Sequence, residues 1–397
     1  MDTKKIFIIA VILLVLIGGT LIIYNLFSQK AASPSATEQA GVLPSTAPGT
    51  RGGETTTGGT DQTSQTSEGA AAIAAAKILP ISQEKVLAPT IGSDGKSVKY
   101  FSRTDGKLYE SDFNGSSKKT LSSVTLKNLV KAVWSPDKEK IVSIFSDNNA
   151  TKKYFYSYSN NQTSLLGERL GYIAWSPDSK KIAYHYIDPT TGQNNISVAN
   201  PDGSGWKNIF KTRLDNVVVE WPIKEKISLR LPPSGLAQGL LYAINSATGD
   251  FTKILSDIFG LNTKWSPKAD KILYSFTDNE GKSPGLALSD EQGAKTKDLK
   301  LAGIVDKCVW SKDDRTIFCA LPQEISSNAT WPDDYYKGLV ILSDDFYKID
   351  LENDAKTKIA GSTDAVGYDT QDLFLSPKED YLFFVNKRNG LLYRIKL

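Results

Sequence analysis

Four segments of this chain read almost alike: Trp134-Ser-Pro-Asp-Lys-Glu-Lys-Ile141, Trp175-Ser-Pro-Asp-Ser-Lys-Lys-Ile182, Trp265-Ser-Pro-Lys-Ala-Asp-Lys-Ile272 and Trp310-Ser-Lys-Asp-Asp-Arg-Thr-Ile317. Three looser copies begin at Trp221 (one residue shorter), at Leu375 and at Ile91. The starts at 91, 134, 175, 221, 265, 310 and 375 give steps of 41 to 46 residues, with a last step of 65. Five of the seven tryptophans share this phase, which chance placement would hardly produce. A period of roughly 40–50 residues built from short strands calls for small sheets repeated around an axis, a β-propeller.

Each copy encodes its own local structure. The residues before the Trp form a short strand. Ser-Pro-Asp is turn chemistry, because Pro presets φ and Asp bonds backbone two residues on. A second strand returns, as in Lys181-Ile-Ala-Tyr-His-Tyr-Ile187. A third follows, such as 240–244, then a turn at Ala247-Thr-Gly249 and a shorter fourth strand, such as 252–255. One blade cannot cover both of its own faces, so the Trp and Ile of each copy are expected to pack on a neighbour. No long segment after residue 80 has apolar residues at helical spacing. The fold expected is all-β, a seven-bladed propeller of four-stranded antiparallel blades. The last copy supplies only three strands, while Ile78-Leu-Pro-Ile81 stands ahead of the first copy without a blade. Residues 78–81 are therefore expected to close the last blade as its outer strand, which removes an unpaired edge.

The Trp-Ser-Pro-Asp-x-x-Lys-Ile pattern resembles the WD-like propeller repeats of the TolB type and the repeats in the N-terminal propeller of dipeptidyl peptidase IV-like proteins. The resemblance covers about residues 78–397 and implies the fold. It carries over neither partners nor peptidase activity. The sequence shows no TolB-like α/β segment before the repeats and no hydrolase-like segment after them.

Ahead of the repeats the composition changes twice. Ile6 to Phe27 is an uncharged apolar run of 22 residues. As a helix it spans about 33 Å, enough to cross a hydrocarbon core of about 30 Å. It exceeds the apolar region of a secretory signal, about 7–15 residues. The nearest cleavage-like pattern, Ala31-Ala32-Ser33, lies beyond its end, and no lipobox cysteine follows. An uncleaved anchor is expected, with a cleaved signal or a buried helix as alternatives. Lys4 and Lys5 precede the run and only Lys30 follows closely, which puts the N-terminus in the cytoplasm. Residues 28–76, rich in Ser, Thr, Gly, Pro and Ala, read as a flexible stalk. The organisation expected is a cytoplasmic tip (1–5), one transmembrane helix (6–27), the stalk (28–76) and an extracytoplasmic propeller (77–397) at the cell membrane.

Little of the chain points to catalysis. One histidine and two cysteines cannot build a His-based metal cage or a conventional zinc finger, so no metal or cofactor is expected. The net charge of +3, without a basic run, argues against nucleic acid. If Trp310 faces Ile317, Cys308 falls opposite Cys319, a pairing that suits a disulfide in an oxidising compartment; two buried thiols are the alternative. An insertion at about 323–345 accounts for the long last step. Its Trp331, Tyr335 and Tyr336 offer stacking surfaces, and Asp333 and Asp334 offer acceptors, so it reads either as a binding lid or as a hairpin packed on its own blade. Gly281-Lys-Ser283-Pro-Gly285 matches a hydrolase string in the wrong context. His185 reads as a strand residue, and Asp278-Asn-Glu-Gly281 and Asp202-Gly203 as turns.

The function expected is non-enzymatic: a membrane-tethered binding or scaffold module for a protein or glycan partner, with a monomeric propeller. One alternative is a lactonase, lyase or hydrolase using funnel carboxylates and a metal. Another is a structural subunit of an envelope complex.

Overall fold

The indole of each intact repeat ends the first strand of a four-stranded sheet and reaches back to the sheet before it. In the computed structural model, which describes residues 77–122, 124–147, 150–363 and 366–397, Trp134 Nε1 donates to the Ala88 carbonyl and Trp175 Nε1 to that of Val133, each at 2.9 Å. Trp310 Nε1 donates to the Lys264 carbonyl at 3.2 Å, and Trp265 Nε1 to Ser228 Oγ at 3.1 Å. Every acceptor lies in the preceding sheet. The shortened copy behaves differently: the half-buried Trp221 donates to Lys224 O in its own turn, at 3.2 Å.

The Ser-Pro-Asp turns link neighbours again. Ser135 Oγ accepts from Lys140 N at 2.9 Å, and Asp137 Oδ1 accepts from Glu139 N at 3.0 Å. The fourth residue after the signature position is left-handed in six copies: Gly95, Lys138, Ser179, Ala269, Asp314 and Glu379, with φ between 54° and 68°. Three of these side chains accept from the preceding blade's turn. Ser179 Oγ accepts from Asp137 N at 3.0 Å, Asp314 Oδ1 from Lys268 N at 3.1 Å and Glu379 Oε1 from Lys312 N at 2.7 Å.

The result is seven four-stranded antiparallel sheets, as the sequence predicts. The strands nearest the axis are Val86–Ile91, Leu129–Trp134, Leu170–Trp175, Val218–Ile223, Asn262–Trp265, Cys308–Trp310 and Thr370–Leu375, which open blades 1 to 7. The seventh sheet runs Thr370–Leu375, Tyr381–Asn386, Leu392–Lys396, then Ile78–Pro80. Ile78 pairs with Ile395 and Pro80 with Tyr393, so the chain's first described strand is the outermost strand of its last blade. Proline suits such an edge, where no ladder donor is missed. The fourth strand of blade 4, Phe251–Phe259, is longer than its sequence indicates, because Phe259 and Ile258 continue the ladder against Gln238 and Gly239.

Apolar packing follows the joints. Buried clusters lie between blades 2 and 3 (Val142, Phe155, Trp175, Ile182), between blades 5 and 6 (Leu273, Leu286, Trp310, Ile317), and at each of the other joints. The joint between blades 1 and 2 is the least filled, with only Phe101, Leu108 and Ile141 fully buried. The expected tip, anchor and stalk lie outside the described residues. Among the described residues no helix is long and apolar enough to cross a membrane.

Candidate functional site

The insertion leaves blade 6 after Thr316–Pro322 and returns at Asp344–Asp350. It therefore stands on the face opposite the Ser-Pro-Asp turns, together with the loops that join blades. Its one helical turn, Asp333–Tyr336, is fixed from several sides. Asp333 accepts from Ser234 Oγ (3.0 Å) and Gly235 N (2.8 Å) of blade 4. Trp331 N donates to Gly281 O of blade 5 at 2.7 Å, and Lys282 Nζ to Ala329 O at 2.7 Å. The approach to blade 4 is so close that a Cβ on Gly235 would lie 2.0 Å from the Trp331 carbonyl. On the blade 7 side, Lys387 Nζ bonds Tyr335 O (3.0 Å) and Arg388 Nη2 bonds Leu342 O (2.9 Å).

Beneath this roof lies a buried charge network. Lys307 Nζ meets Asp344 Oδ2 at 2.6 Å and Asp369 Oδ1 at 2.7 Å, all three side chains sealed from solvent. Tyr335 OH donates to Asp369 Oδ1 at 2.9 Å, and Leu342 N to Asp369 Oδ2 at 3.2 Å. Burial pushes the Asp344 carboxyl up, against the pull of Lys307. Burial, then Asp369, holds the Tyr335 hydroxyl well above its ordinary value.

Charged side chains from six blades meet at the channel mouth. Arg103, Lys131, Arg230 and Lys264 face Glu220, Asp306 and Asp372. Asp372 feels Arg103 of blade 1, Lys264 of blade 5, Asp306 at the start of blade 6 and Lys131 of blade 2. Lys131 feels Arg230 of blade 4. Only side chains directed toward the axis can share neighbours on opposite sides of the ring. Glu220 Oε1 lies 3.9 Å from Arg230 Nε. Lys131 sits over the ring of Tyr172 in blade 3, with Nζ 5.3 Å from its centroid. The insertion enters this group through Tyr336, whose hydroxyl donates to Asp306 Oδ2 at 2.5 Å; Asn262 Nδ2 bonds both Asp306 Oδ1 and Tyr336 Oη, each at 3.0 Å. Lys131, Asp306 and Asp372 are exposed at the opening, and Glu220 and Lys264 are half-buried. Desolvation raises Glu220 and Asp372 and lowers Lys264 and Lys131, while opposite charges partly resist each shift; on Lys131 the like charge of Arg230 adds to the lowering and Asp372 opposes it.

The structure thus separates the five residues singled out in the insertion. Trp331 and Tyr335 are buried in the insertion's own core with Ile304, Ala329 and Leu342. Asp333 anchors blade 4, and Asp334 Oδ2 accepts from Thr330 N at 2.8 Å. Tyr336, 43 % exposed, alone reaches the channel charges. Cys308 and Cys319 are directly paired across the first two strands of blade 6 and linked by a disulfide. His185 is buried in blade 3. Gly281, from the hydrolase-like string, serves the insertion as a carbonyl acceptor. Glu220, Asp306 and Asp372 converge although they stand at different offsets from their signature residues. The available signal was a charged residue one, three or four positions before a signature residue, interrupting an apolar inner strand.

A cleft of about 620 Å³ lies away from these charges, between blades 1 and 2, and is lined in part by Phe145, Tyr154, Tyr156 and Tyr158. It coincides with the least filled joint, so it is read as a packing shortfall. Among the described residues no three His, Cys, Asp or Glu are grouped to hold a metal ion.

No protein-family model matches the chain, and no curated protein matches it. Solved structures do. An oligogalacturonate lyase from Vibrio parahaemolyticus is 10% identical over 80% of this chain and 93% of its own, with a TM-score of 0.58. An oligogalacturonate lyase in complex with manganese is 11% identical over 81% and 90%, with a TM-score of 0.56. The β-propeller domain of the Trilobed protease from Pyrococcus furiosus is 12% identical over 78% and 92%, with a TM-score of 0.52. At these identities the likeness shows the propeller fold alone.

Proposed function

We propose that the protein is a membrane-tethered, extracytoplasmic binding module that engages its partner with the face carrying the insertion. The observation that carries this reading is the uneven distribution of exposed apolar side chains. Val124, Val130, Ile187, Leu236, Tyr336, Leu339, Ile341 and Val366 all lie on loops or strand ends of the insertion face. The turn face exposes Trp206, Phe251 and Leu397. Exposed apolar groups gathered around a charged opening are the usual make-up of a recognition surface. The 22-residue apolar run and the Cys308–Cys319 disulfide support placement outside a membrane.

The test is site-specific photo-cross-linking of the full chain in its native membrane. A photoreactive residue replaces Tyr336 in one form and Trp206 in another. A discrete adduct from position 336 and none from 206 is the expected result. Adducts from 206 alone would move the interface to the turn-side rim and favour the envelope-subunit reading.

A second reading, a hydrolase or lyase, is favoured by one observation: Glu220 and Asp372 are carboxyls at an opening whose pKa burial raises, as it does for many general acids. Turnover of a polyuronate or lactone by the full chain, abolished in Glu220→Gln, would select it over binding alone.

A further inference from the structure

The channel charges are not mutually satisfied, and the four cations, Arg103, Lys131, Arg230 and Lys264, outnumber the three acids, Glu220, Asp306 and Asp372. A guanidinium offers five N–H donors. Arg230 makes one hydrogen bond, from Nη1 to Leu231 O at 3.4 Å. Its Nε is buried without a hydrogen-bond partner, and Glu220 lies beyond hydrogen-bond reach at 3.9 Å. Lys131 rests on the face of Tyr172 and has no carboxylate within ion-pair distance among the described residues. Lys264 bonds a backbone carbonyl, that of Cys308. Among the acids, Asp306 is held on both oxygens, by Asn262 and by Tyr336, Glu220 accepts from Ser228 Oγ at 3.5 Å, and Asp372 has no hydrogen-bond partner among the described residues. Arg230 and Lys131 therefore keep unused donors, and the cations of the opening exceed its acids by one.

Resting on the reading that the insertion face binds, we infer that the channel beneath the insertion holds an oxyanion of the ligand, a carboxylate or phosphate, against Arg230, with Lys131 and Lys264 flanking it. A planar oxyanion accepts two parallel bonds from a guanidinium, and such charge-assisted bonds are about twice as strong as neutral ones. Desolvation at the opening strengthens them further. The roof contributes order: Tyr336 and Asn262 hold the Asp306 carboxylate in one position at the edge of the opening.

The test uses the full chain in a non-ionic detergent, titrated calorimetrically with citrate, inorganic phosphate and spermidine at ionic strength matched with sodium chloride. The expected result is saturable binding of citrate or phosphate, weakened about tenfold or more in Arg230→Ala and partly restored in Arg230→Lys. Binding of citrate alone identifies a carboxylate ligand, and of phosphate alone a phosphate ligand. Lys131→Ala, a change at an exposed position, should weaken the same anion about threefold and serves if Arg230→Ala fails to fold. Binding of neither anion, binding indifferent to both substitutions, or a preference for spermidine overturns the inference. Cross-linking at Tyr336 decides the underlying reading separately: adducts there without anion binding leave the face correct and the charge assignment wrong.

Discussion

The two faces of this ring are held by different means. On the turn face the same few contacts recur: an indole bonded to the preceding blade, a serine closing its own turn, and a left-handed residue accepting from the turn before it. On the opposite face almost every contact is used once. Asp333 to blade 4, Trp331 to Gly281 and the Lys307–Asp344–Asp369 network have no counterpart elsewhere among the described residues. Repetition distributes stability around the turn face. Single-use contacts concentrate stability on the other face in a few sites, where a roof and a charged mouth are maintained.

That contrast can be broken at its strongest point by Lys307→Met, which strands two buried carboxylates. A loss of about 3–5 kcal/mol is expected from denaturant unfolding, and a loss within 0.5 kcal/mol would remove the network from the account of the roofed face. Next, Trp175→Ala should cost about 3–5 kcal/mol, because it empties a filled joint. Trp221→Ala should cost about half as much, since its half-buried indole bonds only its own turn. Equal costs would show that the shortened copy joins its neighbour as the others do.

Lys99 sharpens the comparison through pH. Its ammonium is bonded to the Lys138 carbonyl and lies 4.2 Å from the centroid of the Trp134 ring, and burial lowers its pKa to about 8. Between pH 8 and the ordinary value of 10.5, the unfolded chain holds a proton that the folded chain has released. Stability should therefore rise with pH across that window, by about 3 kcal/mol, and Lys99→Met should flatten the rise. Smallest is Glu379→Ala, which removes bonds at 2.7 Å to Lys312 N and 2.6 Å to Ser311 Oγ. Thermal melts should report a loss of about 1–2 kcal/mol.

The same contrast explains what was legible in the sequence. Blades, turns, the closing strand at Ile78–Pro80 and the Cys308–Cys319 pairing follow from period and strand register, which are written residue by residue. The insertion's position was equally plain from its length. Its internal order was not. Trp331 and Tyr335 have the same chemistry whether they face a ligand or a core, and only the third dimension shows that Ile304 and Leu342 close over them. Glu220, Lys264 and Asp372 lie in different repeats, more than 40 residues from one another, and are brought together by ring geometry that no local pattern records.

Amide hydrogen exchange of the full chain measures most directly whether the insertion is a fixed roof. The amides of Trp331, bonded to Gly281 O, and Leu342, bonded to Asp369, should exchange as slowly as those of the inner strands. Exchange of both within seconds, at the rate of an open loop, would contradict a roof held over the channel and the binding face built upon it.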